Sequence, residues 1–139
     1  MNHAPRPRGH DRTGDTEYRR LLSENQRYVE AFDQSALGPA PLTGLAVIAC
    51  MDARLDVEET LGLRTGDAHI IRNAGGLVTD DVMRSLIISQ QRLGTDRIVL
   101  IEHTDCGLFG VDEEGLRTDL VTSLDVMAED VDIEFGAFD

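Results

Sequence analysis

The chain has 139 residues, enough for one compact domain with a single sizeable core. Asp and Glu number 26 against 13 basic residues, all of them Arg, for a formal net charge of −13. A surface of that sign repels phosphate backbones and anionic lipid, so neither nucleic acid nor a membrane is expected as a partner.

Hydrophobic residues make up 41 % of the chain, too many for a disordered one, and with aromatics at 4 % the core must be aliphatic. An acid-rich, lysine-free surface fits a salt-rich cytoplasm, in which case the fold is lost in low salt and regained in high salt. A genomic preference for Arg codons accounts for the missing Lys equally well.

In chain order, residues 1–15 carry Pro, Gly and Arg without periodicity and are expected to form a mobile tail ahead of a single domain over 16–139. The stretch "EYRRLLSENQRYVEAF" places Tyr18, Leu21, Leu22, Tyr28, Val29 and Phe32 at helical spacing. "LGPAPLTG" is a loop, and "LAVIAC" is a continuous apolar run, as in a strand buried on both faces. "DVEETLGL" predicts a short helix closed near Gly62, and "AHIIRNAGG" a second strand whose Gly75 and Gly76 permit a close backbone turn. The next helix has Thr79 as N-cap, two acids in its first turn and Gly94 at its C-cap. "RIVLIEH" then predicts a third buried strand. Apolar runs alternating with helices indicate an α/β fold, a mainly parallel sheet flanked by helices, with functional groups at the carboxyl ends of strands.

No apolar h-region stands near the N-terminus, and the longest apolar run, Leu45 to Met51, is too short to span a bilayer. The expected location is cytoplasmic. Two cysteines in such a compartment are reactive or metal-bound rather than bridged.

Cys50 and His103 both fall at predicted strand ends, and Cys106 follows His103 in an H-x-x-C spacing. Two thiolates and one imidazole are a zinc ligand set that leaves one coordination position open, as catalysis requires. Asp52, two residues after Cys50, can either bind the metal or accept a hydrogen bond from bound water, and Arg54 can hold it ionised and off the metal. A small uncharged electrophile would meet no repulsion from so acidic a protein. Taken singly, the cysteines could be small buried hydrophobes, or partners in a reversible disulfide, and Asp52 with Arg54 an ordinary surface ion pair. His69 is expected to have a packing or surface role, and the acidic run 125–134 to be a solvated surface.

C-x-D-x-R (Cys50, Asp52, Arg54) followed by H-x-x-C (His103, Cys106) resembles the β-class carbonic anhydrases, especially short prokaryotic members. The resemblance runs through "CMDARLDV", "HIIRNAGGLVTDDVMRSL" and "HTDCG", over about residues 17–110. It implies one Zn2+ per subunit on Cys50, His103 and Cys106, and the dyad Asp52–Arg54 as catalytic residues. It further implies reversible hydration of carbon dioxide to bicarbonate and a proton. In a closed state known among relatives the aspartate leaves the arginine, so Asp52 becomes a conditional fourth ligand. Gly75 and Gly107 are expected at the substrate pocket. The resemblance also implies a homodimer or higher homo-oligomer, with the N-terminal helix reaching across to the partner. Relatives commonly continue into a further helix and an edge strand that "DVMAEDVDIEFGAFD" does not match, so the C-terminal part is short relative to the family. Two other functions fit the same residues: hydrolysis of carbon disulfide or carbonyl sulfide, and a non-catalytic zinc-stabilised oligomer.

Overall fold

The computed structural model describes residues 15–124 and 134–136. The expected tail falls outside that range, apart from Asp15, which opens the first helix, and so does the acidic run 125–134, apart from Glu134. The chain gathers into two units, Met1–Leu37 and Gly38–Asp139. In the first, α1 (Asp15–Ala31) carries Tyr18, Leu21, Leu22, Tyr28 and Val29 of the predicted stripe, Phe32 follows just past its end, and every member is exposed. Its own contacts are local: Arg20 with Glu17, Arg27 with Glu24, and the rings of Tyr28 and Phe32 at 5.7 Å.

The second unit runs β1 (Leu45–Cys50), α2 (Val57–Leu61), β2 (Ala68–Asn73), α3 (Asp80–Leu93), β3 (Arg97–Ile101) and α4 (Glu113–Leu124). The three strands form a parallel sheet in the order β2-β1-β3, as the alternation of strands and helices predicts. Being central, β1 is flanked by both neighbours, and its side chains alternate between two faces that are each covered. Ala46 and Ile48 pack with Val82 and Leu86 of α3, while Val47 and Ala49 pack with Val57 of α2. All four β1 side chains are fully buried, which is why the run had to be continuously apolar.

The helix ends follow the predicted signals. Thr79 accepts from the Val82 amide, Asp80 and Asp81 sit in the first turn of α3, and Gly94 closes it in a left-handed conformation. Asp56 accepts from the Glu59 amide at 2.9 Å, and Gly62 ends α2 at φ +65°.

Three expectations change. β3 is not buried: it pairs with β1 alone among the described residues, and Ile98 and Leu100 are 43 % and 54 % exposed. The second strand ends at Asn73, short of the glycines, and Ala74–Gly76 form a 3-10 turn, the close turn that Gly75 and Gly76 were expected to permit. α4 has no counterpart in the sequence reading. None of its residues is fully buried, although Leu116, Leu120, Val121 and Leu124 stand at helical spacing that the sequence reading passed over.

His69 has a packing role, as expected. Its Nε2 bonds the Pro39 carbonyl at 2.8 Å and its Nδ1 the Ser89 hydroxyl at 2.7 Å, and Ser89 in turn meets Thr95 at 2.6 Å. A carbonyl only accepts, so Nε2 carries a proton. No helix among the described residues is long and apolar enough to cross a membrane.

The turn after β2 presses against the carboxyl ends of both neighbouring strands. A Cβ on Gly76 (φ +67°) would stand 3.0 Å from the Cys50 nitrogen, 3.1 Å from the Ala49 carbonyl carbon and 3.3 Å from the Ile101 oxygen. All three are backbone atoms that cannot step aside. Gly62 has nearly the same φ and nothing within 4 Å. Gly62→Ala should therefore cost about 1 kcal/mol of left-handed strain. Gly76→Ala adds a backbone clash and should cost about 3 kcal/mol or more. Urea unfolding of the two variants checks the difference, and equal losses would mean that the approach at Gly76 is not tight.

Candidate metal centre

β1 delivers Cys50 as its last residue, and the segment after β3 delivers His103 and Cys106. Because the two strands are parallel neighbours, both endings open on one edge of the sheet. Among the described residues one group of Cys, His, Asp and Glu side chains is close enough to hold a metal ion: Cys50, His103 and Cys106, with ligand atoms all within 4.8 Å of one another. Leu108 is buried with the two cysteines, and Leu55, Leu77 and Val111 pack around them.

The donor atoms suit an ion. The two sulfurs lie 3.9 Å apart. Two thiolates about 2.3 Å from a tetrahedral zinc stand roughly 3.8 Å apart. His103 Nδ1 bonds the Thr104 carbonyl at 2.9 Å, so Nδ1 holds the proton and Nε2 offers its lone pair. That Nε2 is buried without a hydrogen-bond partner. An orphaned, buried imidazole nitrogen beside two buried sulfurs is what a metal would satisfy.

The electrostatics favour a Cys50 thiolate. Burial opposes ionisation of Cys50, but contact with His103, the backbone N–H groups of Asp52 and Gly75, and Cys106 outweigh it and hold the thiol down to about 7. The same contact pushes His103 up, towards its protonated form, so a metal bound there displaces a proton from that ring.

Asp52 stands beside this group but does not join it. Its Oδ1 accepts from Arg54 Nε at 3.0 Å and from the Arg54 amide at 2.9 Å, and its Oδ2 accepts from Arg54 Nη2 at 2.8 Å. Hydrogen bonds from the Arg54 side chain and backbone hold the carboxyl well below the usual carboxylate range. Oδ2 still reaches to 4.0 Å from His103 Nε2. The pair is too exposed on the Arg54 side to matter much for stability, so its consequence is orientation. Arg54 Nη2 also donates to the Asp105 carbonyl at 2.9 Å, which ties the loop after β1 to the loop after β3. Asp105 itself has φ +55°, a left-handed conformation that Asp tolerates better than most residues.

Of the two glycines expected at the pocket, Gly107 lines a cavity of about 460 Å3 together with Met51, Asp52, Ala74, Leu108 and Val111. Gly75 is buried and directs its N–H to the Cys50 sulfur. On the other side of Asp52 a cavity of about 230 Å3 is lined by Arg54, Leu55, His103 and Thr104. One residue near the site escaped the sequence reading. Arg72 of β2 donates from Nε to the Cys50 carbonyl at 2.9 Å and from Nη2 to the Asp52 carbonyl at 2.7 Å. The only signal was an arginine directly after the two isoleucines of "HIIRN". Asn73 closes the neighbouring turn by exchanging two hydrogen bonds with the Leu77 backbone.

Residues 45–131 match the family model described as carbonic anhydrase. The match reaches further toward the C-terminus than the motifs suggest and leaves out α1. A β-carbonic anhydrase 1 of Mycobacterium tuberculosis is 49 % identical over 96 residues, which are 69 % of this chain and 58 % of that protein. A carbon disulfide hydrolase of Acidithiobacillus thiooxidans is 41 % identical over 109 residues, covering 68 % of this chain and 50 % of that one. The chain thus spans little more than half the length of these relatives. The crystal structure of a carbonic anhydrase from Streptococcus mutans superposes with a TM-score of 0.77 at 45 % identity, over 87 % of this chain and 72 % of that one. A family match over more than half its residues, on a fold shared at that identity, makes this chain a member of the β-carbonic anhydrase family.

Proposed function

We propose that the protein is a zinc-dependent carbonic anhydrase that catalyses the reversible reaction of carbon dioxide and water to bicarbonate and a proton. The observation that carries this reading is the buried, partnerless His103 Nε2 facing two buried thiols, next to a carboxylate held ionised by a forked arginine. Cys50, His103 and Cys106 would hold the ion, and Asp52, when released by Arg54, could close the fourth position. Zinc bound there supplies Lewis acidity, which brings the deprotonation of water near neutral pH.

This chain's own residues do the remaining work. Asp52 cannot donate while Arg54 keeps it ionised, so it acts as an acceptor and orients the attacking water by accepting its hydrogen bond. Met51, Ala74, Leu108 and Val111 give the 460 Å3 cavity an apolar wall against which a small nonpolar substrate can rest, with Gly107 presenting backbone rather than a side chain. The reaction adds the water oxygen to the carbon, and one proton leaves to buffer.

A second reading has a specific support: the relative named carbon disulfide hydrolase. Carbon disulfide is also small, linear and apolar, and its hydrolysis by the same site would release sulfide. An oligomer belongs to the proposal as well. Apolar side chains stand exposed along α1, on α3 at Met83, Ile87 and Ile88, and on β3 at Ile98 and Leu100. Burial against a second copy in the cytoplasm would remove them from water.

Stopped-flow hydration of carbon dioxide by the zinc-loaded protein tests the main reading. The rate should rise with pH through one ionisation and vanish in Cys50→Ala. A folded, zinc-loaded protein with no rate at any pH overturns it, and sulfide release in place of that rate supports the second reading. Arg54→Ala unfastens Asp52 and both loops, and should cut the rate about 10- to 100-fold. An unchanged rate would remove the dyad from the mechanism. The lowered Cys50 pKa sets the pH dependence of metal uptake. Above about pH 7 the thiolate is already formed. Below it protons compete for the Cys50 sulfur and for His103, whose pKa is raised, so apparent zinc affinity should fall by at least about tenfold per pH unit. Chelator competition across pH 5–9 reads this; a break near 9 instead would mean an ordinary thiol.

A further inference from the structure

Arg72 makes an unusual pair of contacts for an arginine in a strand. In register it stands opposite Ala49 of β1, and its side chain passes the end of that strand to bind the carbonyl oxygens of Cys50 and Asp52. Both are residues of the metal centre, and both lie where the sheet stops restraining the chain. Pairing of β1 with β3 ends at Ala49 opposite Ile101, and the last bond toward β2 runs from the Met51 amide to the Asn73 carbonyl at 2.8 Å. Beyond that point a Cys50 side chain must aim at the ligand group while Asp52 stays beside it.

We propose that Arg72 is a positioning residue for the metal centre, a two-pronged clamp that sets the direction of the Cys50 sulfur relative to the Asp52 carboxylate. It rests on the reading of Cys50, His103 and Cys106 as metal ligands. A planar guanidinium that bonds carbonyls two residues apart fixes the peptide planes following Cys50 and Asp52. The Cα–Cβ directions of both residues are then no longer free. The Asp52 carbonyl also accepts from the Leu55 amide at 3.0 Å, so the clamp grips one corner of a turn that Asp52 itself closes through the Arg54 amide. Among the described residues no carboxylate forms an ion pair with Arg72. Its donors go to neutral carbonyls, and its geometry rather than its charge is what the loop uses.

The clamp therefore acts on Cys50 and Asp52 from behind, while Arg54 acts on Asp52 and the His103–Cys106 loop from in front. Lysine keeps the charge but lacks the fork, which separates geometry from electrostatics. Arg97 serves as control: it lies on β3, is exposed, and among the described residues pairs with the neighbouring Asp96 alone, at 3.3 Å.

Cobalt(II) titration of the metal-free 139-residue chain against a competing chelator tests this without any turnover. The readouts are the dissociation constant and the thiolate-to-cobalt and d–d absorption bands, which report coordination geometry. Arg72→Ala should weaken cobalt binding about 10- to 100-fold and alter the d–d bands. Arg72→Lys should recover only part of the loss, and Arg97→Ala should stay within about twofold of the unsubstituted chain. Thermal unfolding of each metal-free protein supplies its native fraction, so that a loss of fold is separated from a loss of positioning. Unchanged binding and bands in Arg72→Ala overturn the proposal. So does full recovery by Arg72→Lys, which would make charge sufficient, or a weakening fully explained by the native fraction. If Arg72→Ala does not fold, Arg72→Lys decides alone: folded with unchanged affinity and bands it overturns the clamp, and folded with weaker binding and altered bands it supports it. If the unsubstituted chain takes up no cobalt, the ligand reading fails and the role of Arg72 falls with it. If it binds cobalt and all variants bind alike, Arg72 alone is refuted.

Discussion

β1 and β3 run parallel and side by side, so their carboxyl ends open on the same edge of the sheet, and Cys50 meets His103 and Cys106 there although more than fifty residues separate them. An antiparallel pairing would have sent the two endings to opposite edges. The register matters as much as the direction. With Ala49 opposite Ile101, the chain after β3 has only to turn through Thr104 and Asp105 to bring Cys106 back toward Cys50. Asp105 makes that turn in a left-handed conformation, and its carbonyl is the point at which Arg54 fastens the second loop to the first.

The burial of β1 supplies the rigidity that the site needs. A strand whose four central side chains are closed off on both faces has little freedom to shift, so Cys50 emerges from it in a fixed place. Gly76 extends that restraint by letting the turn after β2 lie directly on the backbone at the ends of β1 and β3. Around the thiols the contacts reverse the usual effect of burial. Desolvation alone would keep Cys50 protonated, but a neighbouring imidazole and two backbone N–H groups bring its thiolate within reach of neutral pH. Asp52, turned toward Arg54, stays ionised across the whole range in which Cys50 titrates.

Much of this was legible in the residues themselves. "LAVIAC" has no polar member because both faces of β1 are covered, and Thr79, Gly62 and Gly94 are cap residues whose backbone roles leave little choice of side chain. The motif residues could be grouped because strand ends on a parallel sheet share an edge. What stayed hidden depends on contacts that periodicity does not carry. Apart from Arg97, "RIVLI" is as apolar as "LAVIAC", yet β3 leaves Ile98 and Leu100 in the open, because an apolar run does not report whether a neighbouring element covers it. α4 is different: Leu116, Leu120 and Leu124 carry the helical spacing and Asp112 bonds the Gly115 amide at its start, so that element was there to be read. Arg72 was invisible for a different reason. Its partners are backbone carbonyls, which have no signature in a sequence.

Zinc K-edge X-ray absorption on the zinc-loaded protein addresses the coordination directly. The account predicts two sulfurs at about 2.3 Å and two nitrogen or oxygen neighbours near 2.0 Å, one of them an imidazole. A shell of three or four sulfurs, or one with none, would contradict it, because the ion would then be held by something other than Cys50, His103 and Cys106 together.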